Sequence, residues 1–237
     1  MRGLLYKDLL LSRLYFGLIL GLQLCSTLGC YLFSDHMSNT PDDVYLIKCI
    51  ILYVPFFFAS LVNGDIFKSD ERRIWCHFVI SSPQAARGQI LCKYIMLCFI
   101  NLILLVCGLL TDLQSCKMLG TSDASAWKIL IVFFAMNIIL NAIEVPFMIR
   151  FGTSRGMNIK GAIFGIIFGA AYICFLFADL SFIREHNVFD WLLELVTTGP
   201  DMTKICIWIS VIAVLLYAIS YYISTLLYRA GVEAYEN

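Results

Sequence analysis

Charged residues are scarce in this chain. Asp, Glu, Lys and Arg make up 14% of its 237 residues, against about 25% in an ordinary soluble domain. Hydrophobic residues make up 60%, and the mean hydropathy is +0.83. So little polar surface cannot cover a soluble globule, which predicts a protein that resides in a bilayer. The 17 basic and 17 acidic residues balance, and this balance gives no support for nucleic-acid binding.

The sequence motifs of several enzyme classes are absent. No GxxxxGK[ST] motif occurs, so the chain does not bind ATP through a P-loop, and neither HExxH nor GxSxG is found. The three histidines lie in different loops, at His36, His77 and His186. The sequence therefore predicts a chain that is not an enzyme, has no catalytic residues and binds no metal or cofactor of its own.

The ten cysteines include no CxxC pair, and most of them lie within apolar runs. Metal clusters need tight local spacing, so these residues are interpreted as small apolar core side chains. A disulfide stays open for four cysteines near the predicted outer face, which are Cys30, Cys49, Cys116 and Cys206.

Six apolar runs are long enough to cross a membrane, because about 20 helical residues span the hydrocarbon at 1.5 Å per residue. Lys48 lies near one end of the second run, where its side chain is expected to extend toward the interface. Together the runs predict an all-α membrane protein with one transmembrane domain over residues 1–237. The spans are expected at about 14–33, 44–64, 90–110, 129–149, 159–178 and 205–228.

The distribution of basic residues predicts the orientation. With the N-terminus in the cytosol, 12 of the 17 Lys and Arg residues fall on the inner side and 5 on the outer side. Ten acidic residues fall on the outer side, so the two distributions agree. The sequence therefore predicts six helices with both termini in the cytosol.

Three connecting segments have recognisable patterns. Residues 1–13 are basic and rich in leucine, which is compatible with an interfacial helix. The inner loop 150–161 is short, basic and contains glycine, and it predicts a tight cytosolic turn. Residues 182–198 of the last outer loop have apolar residues at helical spacing, which predicts an amphipathic helix at the outer surface or a cap over the bundle ends.

The charged segment 64–93 lies between the second and third runs. Ser82-Pro83 is a helix-start signal, because Ser can cap free N–H groups and Pro tolerates the first helical position. Two short helices with a break near 80–82 are predicted. On these residues alone two interpretations stay open, a docking surface for a soluble partner or a solvated hairpin that only fixes topology.

A few polar residues lie inside the predicted spans. Glu144 is a carboxylate within the fourth span, where it either faces the interior in a structural role or lines a path. Asn137 and Asn141 share one helical face, and such residues more often hold helices together than bind substrate. The row Gly161, Gly165 and Gly169 allows close helix packing, and internal packing is favoured over a dimer seam.

Several motifs are similar to one family. The opening MRGLLYKDLL resembles the start of bacterial type-2 ABC exporter permeases. Asp65, the cluster 70–73, the segment 79–83 and RGQILCKY at 87–94 resemble the signature of that family's central loop. The segment VPFMIRFG at 145–152, followed by Arg155, resembles a further element. Ser82 and the pair at 85–86 depart from the usual residues of the signature.

The resemblance implies a half-transporter of the G-subfamily-like exporter fold. It has six transmembrane helices, an N-terminal interfacial helix, a cytosolic coupling helix, and an outer amphipathic or re-entrant helix between helices 5 and 6. A second permease, expected to be identical, and two copies of a separate ABC ATPase would complete it, with ATP and Mg in the ATPase. The residues expected to dock the ATPase are Asp70, Glu71, Arg72, Arg73, Trp75, Pro83 and Arg87.

The resemblance also suggests the cargo and the location. Compact permeases of this kind commonly export amphipathic or antimicrobial peptides, such as lantibiotics and phenol-soluble modulins, across the bacterial cytoplasmic membrane. The aromatic second span offers apolar surface for such cargo, although it is equally good packing material. The residues expected to line a translocation path are Phe56, Phe57, Asn137, Asn141 and Glu144.

Two alternatives remain open at this stage. An ion-coupled secondary transporter would show inverted repeats and buried ionisable residues, for which Glu144 is the one candidate. A peptide-immunity subunit would bind its peptide without ATP-driven export. A neighbouring gene for a P-loop ATPase would favour export over both alternatives.

Overall fold

A computed structural model describes residues 2–34, 41–68, 85–119, 126–177 and 200–236. The secondary structure of these residues consists of seven α-helices. They are α1 (Arg2–Leu11), α2 (Arg13–Ser34), α3 (Pro41–Lys68), α4 (Ala85–Leu119), α5 (Trp127–Phe151), α6 (Thr153–Phe177) and α7 (Pro200–Glu236).

Helices α2 to α7 cover the six apolar runs, which confirms the all-α prediction for the described residues. Three stretches are long and apolar enough to cross a membrane, namely Arg87–Lys117, Trp127–Phe151 and Met202–Arg229. A fourth is added if α1 and α2 count as one bent span. The count of six membrane spans stays a prediction.

Helix α1 meets α2 at an angle, because the stretches Gly3–Leu10 and Arg13–Gly29 are bent by 61° relative to each other. Ser12 lies at the bend, and its hydroxyl donates a hydrogen bond to the carbonyl of Asp8 at 2.7 Å. Tyr6, Leu9 and Leu10 are exposed while Asp8 is buried. The two faces of α1 therefore differ, as expected of a helix at a membrane interface.

Contacts between residue pairs give the directions of the helices. Thr27 and Thr111 place their hydroxyl oxygens 3.1 Å apart, and the rings of Phe16 and Phe99 lie 6.4 Å apart, so α2 and α4 run parallel. Helix α3 runs antiparallel to α4. Its early residue Lys48 contacts the late α4 residue Asp112. These directions agree with a chain that crosses back and forth.

The core lies where α3, α4 and α5 meet. Its fully buried side chains include Leu52 and Phe56 of α3, Leu97 and Leu104 of α4, and Leu130 of α5. Helix α7 packs on α5 and α4, and most of its apolar stretch within Met202–Arg229 is left exposed. A bundle with so much apolar surface uncovered requires lipid or a partner around it.

A tight turn joins α5 to α6, as the sequence predicts. Phe151 ends α5, Thr153 begins α6, and only Gly152 lies between them. The φ angle of Gly152 is 88° and its ψ angle is 162°, a backbone conformation that is open essentially to glycine alone. Gly156 packs closely against Met148 one turn further on.

The predicted outer helix at 182–198 and the predicted coupling helix in 69–84 lie outside the described residues. On either side of the second segment, α3 continues to Lys68 and α4 begins at Ala85. Both helices therefore extend beyond the spans expected at 44–64 and 90–110, toward the charged segment that joins them.

Candidate translocation groove and charged anchors

A groove lies between α3 and α5. Its volume is about 230 Å³, comparable to a single large side chain. The side chains around it are mostly apolar and come from these two helices. They are Tyr53, Phe57, Ser60, Val132, Phe133, Met136, Asn137 and Leu140.

Aromatic contacts form one side of the groove. The ring of Phe133 lies 4.7 Å from that of Tyr53 and 6.4 Å from that of Phe56. Phe57 is 40% exposed and stands beside Tyr53, with their ring centroids 6.3 Å apart. The groove therefore presents aromatic surface that a bound apolar group could contact.

Asn137 brings an amide into this apolar lining. Its Nδ2 donates to the carbonyl of Phe133 on the same helix at 3.3 Å, and the residue is 4% exposed. An amide in such surroundings can fix the orientation of a ligand through one hydrogen bond. The bond to its own helix also differs from the interhelical role that the sequence favours for this residue.

The residues predicted to line a path divide into two groups. Phe57 and Asn137 lie together in the groove. Phe56 is completely buried and belongs to the core, so it does not line the groove. Asn141 and Glu144 are buried further along α5, at 1% and 2% exposure. Phe56 and Phe57 are adjacent in α3, and side chains of consecutive helix residues point about 100° apart. Phe56 therefore faces the core while Phe57 faces the groove.

Of the residues predicted to dock an ATPase, the structure describes Arg87. It is exposed on the first turn of α4. The other six residues, Asp70, Glu71, Arg72, Arg73, Trp75 and Pro83, lie outside the described parts of the chain.

A buried ion pair lies at one end of the bundle. Lys48 Nζ of α3 is 2.5 Å from Asp112 Oδ1 of α4, with side-chain exposures of 4% and 1%. The same oxygen accepts the backbone N–H of Ala126 at 3.0 Å, immediately before α5. A carboxylate here also interacts favourably with the start of α5. Lys48 is therefore paired with Asp112, which lies beyond the span expected at 90–110, and its extension toward the interface stays a prediction.

A second buried ion pair lies at the other end. Lys93 Nζ of α4 is 3.0 Å from Asp8 Oδ1 of α1, and both side chains are less than 5% exposed. Lys93 also donates to the carbonyl of Ile66 in α3 at 2.6 Å, and its Nζ lies 5.7 Å from the centroid of the Phe67 ring. One lysine therefore connects three helices.

Sequence reasoning missed both ion pairs as sites. All four residues were visible as charges, but nothing in a single sequence shows which charge on one helix meets which on another. One signal was present for the second pair, because Asp8 and Lys93 each belong to a motif of the family resemblance.

Hydroxyl groups join α4 to α7. Tyr94 places its hydroxyl oxygen 2.6 Å from Oγ of Ser220 and 2.8 Å from Oγ of Ser224. Tyr217 donates back to the carbonyl of Tyr94 at 2.7 Å, and Ser220 donates to the carbonyl of Ala142 in α5 at 2.5 Å. These hydroxyl groups therefore hold α4, α5 and α7 together through interhelical hydrogen bonds.

The glycine row of α6 does not pack against any described part of the chain. A Cβ atom added at Gly161, Gly165 or Gly169 would meet nothing within 4 Å. The favoured interpretation, internal packing, is therefore not what the described residues show. No described residue covers the row.

The described cysteines Cys49, Cys116 and Cys206 are not joined by disulfides. The side chain of Cys30 lies outside what the structure describes. Among the described side chains, no group of three His, Cys, Asp or Glu residues converges as metal ligands would.

An all-helical bundle with long apolar helices, uncovered apolar faces and buried ion pairs at both ends is an integral membrane protein. The family model described as ABC-2 family transporter protein matches residues 3–229. The chain belongs to this family and is therefore a membrane subunit of an ABC transporter. No curated protein and no solved structure shows a significant match to the chain.

Proposed function

We propose that this chain is the permease of an ATP-driven exporter that moves amphipathic or antimicrobial peptides out of a bacterial cell. A separate ABC ATPase, present in two copies, would bind ATP and Mg and supply the energy. The observation that carries the cargo class is the groove between α3 and α5, which combines aromatic surface with the amide of Asn137.

The groove matches one side chain of such a cargo better than a polar solute. Its lining is dominated by aromatic and aliphatic groups, with Ser60 and Asn137 as polar members. A volume of about 230 Å³ accommodates one large apolar side chain. An amphipathic peptide offers such a side chain together with backbone amides, which can pair with Asn137. A solute without apolar surface would leave most of this lining without a matching contact.

The ATPase is expected to dock on the segment 65–89. Family membership supports this, because ABC-2 permeases generally work with an ABC ATPase subunit. The exposure of Arg87 at the start of α4 makes this end of the helix accessible to a partner. The orientation follows from the excess of basic residues on the proposed cytosolic side.

Two permeases would form the transporter, and an identical copy is the simplest partner. The uncovered row Gly161, Gly165 and Gly169 supports an association of this kind, since small residues let helix backbones approach closely. The protein would lie in the bacterial cytoplasmic membrane, with both termini in the cytosol.

The docking proposal is tested by co-purification with the ATPase encoded beside this gene. The triple variant Glu71→Ala/Arg72→Ala/Arg73→Ala should lose the ATPase that the wild type retains. Its matched control, Arg184→Ala/Glu185→Ala/Lys204→Ala, removes the same charges from the predicted outer side and should retain it. If neither the wild type nor the control binds an ATPase, the proposal is wrong in its main consequence.

The groove is tested by peptide-stimulated ATP hydrolysis in the reconstituted complex, with a synthetic amphipathic helical peptide as the probe. Phe57→Ala and Asn137→Leu should each lower the stimulation several-fold. Phe58→Ala is the control, because Phe58 is similarly exposed at 43% but does not line the groove. If the peptide stimulates all three variants equally, the groove is not part of the translocation path.

A further inference from the structure

The proposed function leaves open how movement at the charged segment 69–84 reaches the rest of the chain. This segment joins the last residue of α3, Lys68, to the first residue of α4, Ala85. A displacement of the segment would be transmitted along the chain to those two helix ends. The contacts that these two ends make with other helices therefore indicate which helix would move with them.

Lys93 holds both ends. It lies about two turns into α4, and its Nζ donates to the carbonyl of Ile66, two residues before the end of α3. The last four carbonyls of a helix lack intrahelical partners, and Ile66 belongs to that set. A lysine at this position satisfies one of them and also interacts favourably with the helix dipole.

The same ammonium group holds α1. Its Nζ is 3.0 Å from Asp8 Oδ1, and Asp8 is 4% exposed while Tyr6, Leu9 and Leu10 on the other side are exposed. Lys7 adds a weaker contact to Asp8 at 3.5 Å. The Asp8 carboxylate thus anchors α1 to the bundle, and Tyr6, Leu9 and Leu10 face outward.

We propose that Lys93 is a positioning residue for coupling, which ties α1 to the α3 and α4 ends that flank the segment 69–84. When those ends move, the buried ion pair carries α1 with them, and the 61° bend at Ser12 passes the movement to α2. Separating the two partners of a buried ion pair is strongly unfavourable, so the Asp8–Lys93 pair is expected to stay formed while the helix ends move. The inference rests on the proposed function, since an ATPase must displace the segment.

The outer pair Lys48–Asp112 provides a matched control. It also joins a buried lysine to a buried aspartate and bridges α3 and α4, but it lies at the opposite ends of those helices. Lys48→Met and Lys93→Met therefore remove the same group from the same pair of helices. A loss of stability alone should affect both variants alike, whereas a loss of coupling should affect Lys93→Met alone.

The experiment measures how fast trypsin cuts after Lys7 in the full-length protein in nanodiscs, followed by mass spectrometry. Cleavage there requires α1 to leave the bundle. Lys93→Met should be cut at least five-fold faster than the wild type, whereas Lys93→Arg, which keeps the charge and the donors, should retain most of the protection. Lys48→Met should be cut at the wild-type rate. Equal cleavage of Lys93→Met and wild type would overturn the attachment of α1.

The second arm uses the complex with the neighbouring ATPase, with and without ATP and vanadate. In the wild type and in Lys48→Met, trapping should change the cleavage rate at Lys7 at least three-fold. In Lys93→Met, the ATPase should still hydrolyse ATP while the cleavage rate no longer responds. A normal response in Lys93→Met would overturn the coupling role. If the wild type binds no ATPase, the proposed function fails and the coupling role with it, while the first arm still decides the attachment.

Discussion

Lys48 of α3 and Asp112 of α4 form an ion pair of 2.5 Å in which both side chains are buried. The carboxylate also accepts the backbone N–H that precedes α5. Three helices therefore converge on a single carboxylate. Burying an unpaired charge is costly, so either residue alone would destabilise the protein, whereas the pair holds the three helices together.

Removal of either partner of this pair should destabilise the protein by about 3–5 kcal/mol, because the remaining charge is left buried. The single variants are Lys48→Met and Asp112→Leu, and thermal unfolding in detergent measures the effect. The double variant should recover most of the loss, since two apolar side chains leave no unpaired charge. The exposed residue Lys117 provides the control, and Lys117→Met should change stability by less than about 0.5 kcal/mol. Equal effects of Lys48→Met and Lys117→Met would contradict the burial of the pair.

The tyrosine network between α4 and α7 gives a second prediction. Tyr94→Phe removes one hydroxyl that contacts both Ser220 and Ser224, and should lower the free energy of unfolding by about 1 kcal/mol. Tyr222→Phe, on the exposed side of α7 at 65% exposure, is the matched control and should have no measurable effect. Chemical unfolding of the two variants in the same detergent compares them. If both variants behave alike, the network does not hold α7.

The glycines of α6 should respond oppositely to the same change. A Cβ at Gly156 would lie 2.9 Å from the Cα and 3.0 Å from the N of Met148, and backbone atoms cannot move aside cheaply. Gly156→Ala should therefore destabilise the protein by about 1–3 kcal/mol. At Gly165 nothing lies within 4 Å, so Gly165→Ala should leave the monomer's stability unchanged or slightly raised. Thermal shifts of the two variants, each measured in detergent, give the comparison.

Neighbouring phenylalanines of α3 should differ sharply in stability. Phe56 is fully buried in the core, so Phe56→Ala leaves a cavity and should cost about 3–5 kcal/mol. Phe58 is 43% exposed, and Phe58→Ala should cost about 1 kcal/mol or less. Thermal unfolding distinguishes them. A transport defect in Phe56→Ala therefore reports on folding, and a mild thermal effect at Phe56 would place it outside the core after all.

Hydrophobic run length predicted the helices well, because a membrane helix must be apolar over about 20 residues and little else in the sequence imitates that. A tight turn was predicted over 150–161, but the turn is at Gly152 and the following residues are helical from Thr153. Helix ends were predicted less well. α4 begins at Ala85 rather than 90 and continues to Leu119, because polar residues continue a helix once it leaves the hydrocarbon.

The candidate site was predicted only in part. Phe57 and Asn137 were identified from residue type and do lie together, but Phe56 was assigned to the path with its neighbour. Residue type cannot show which face of a helix meets the core when all faces are apolar. The Lys48–Asp112 and Asp8–Lys93 pairs were missed for a related reason, since pairing depends on the register between helices that are far apart in the chain.

The Lys48–Asp112 ion pair and the hydrogen bond from Lys93 to the Ile66 carbonyl also join α3 to α4 near both ends of the two helices. Lys93 and Asp112 are about 19 residues apart on α4, or about 28 Å at 1.5 Å per residue, close to the thickness of the hydrocarbon. A relative displacement of α3 and α4 would therefore break the ion pair at one end or the lysine–carbonyl hydrogen bond at the other. We therefore expect α3 and α4 to tilt together as one rigid unit. A change in the groove between α3 and α5 would then come from movement of α5 against this pair, and a chemical cross-link between α3 and α4 should leave transport intact.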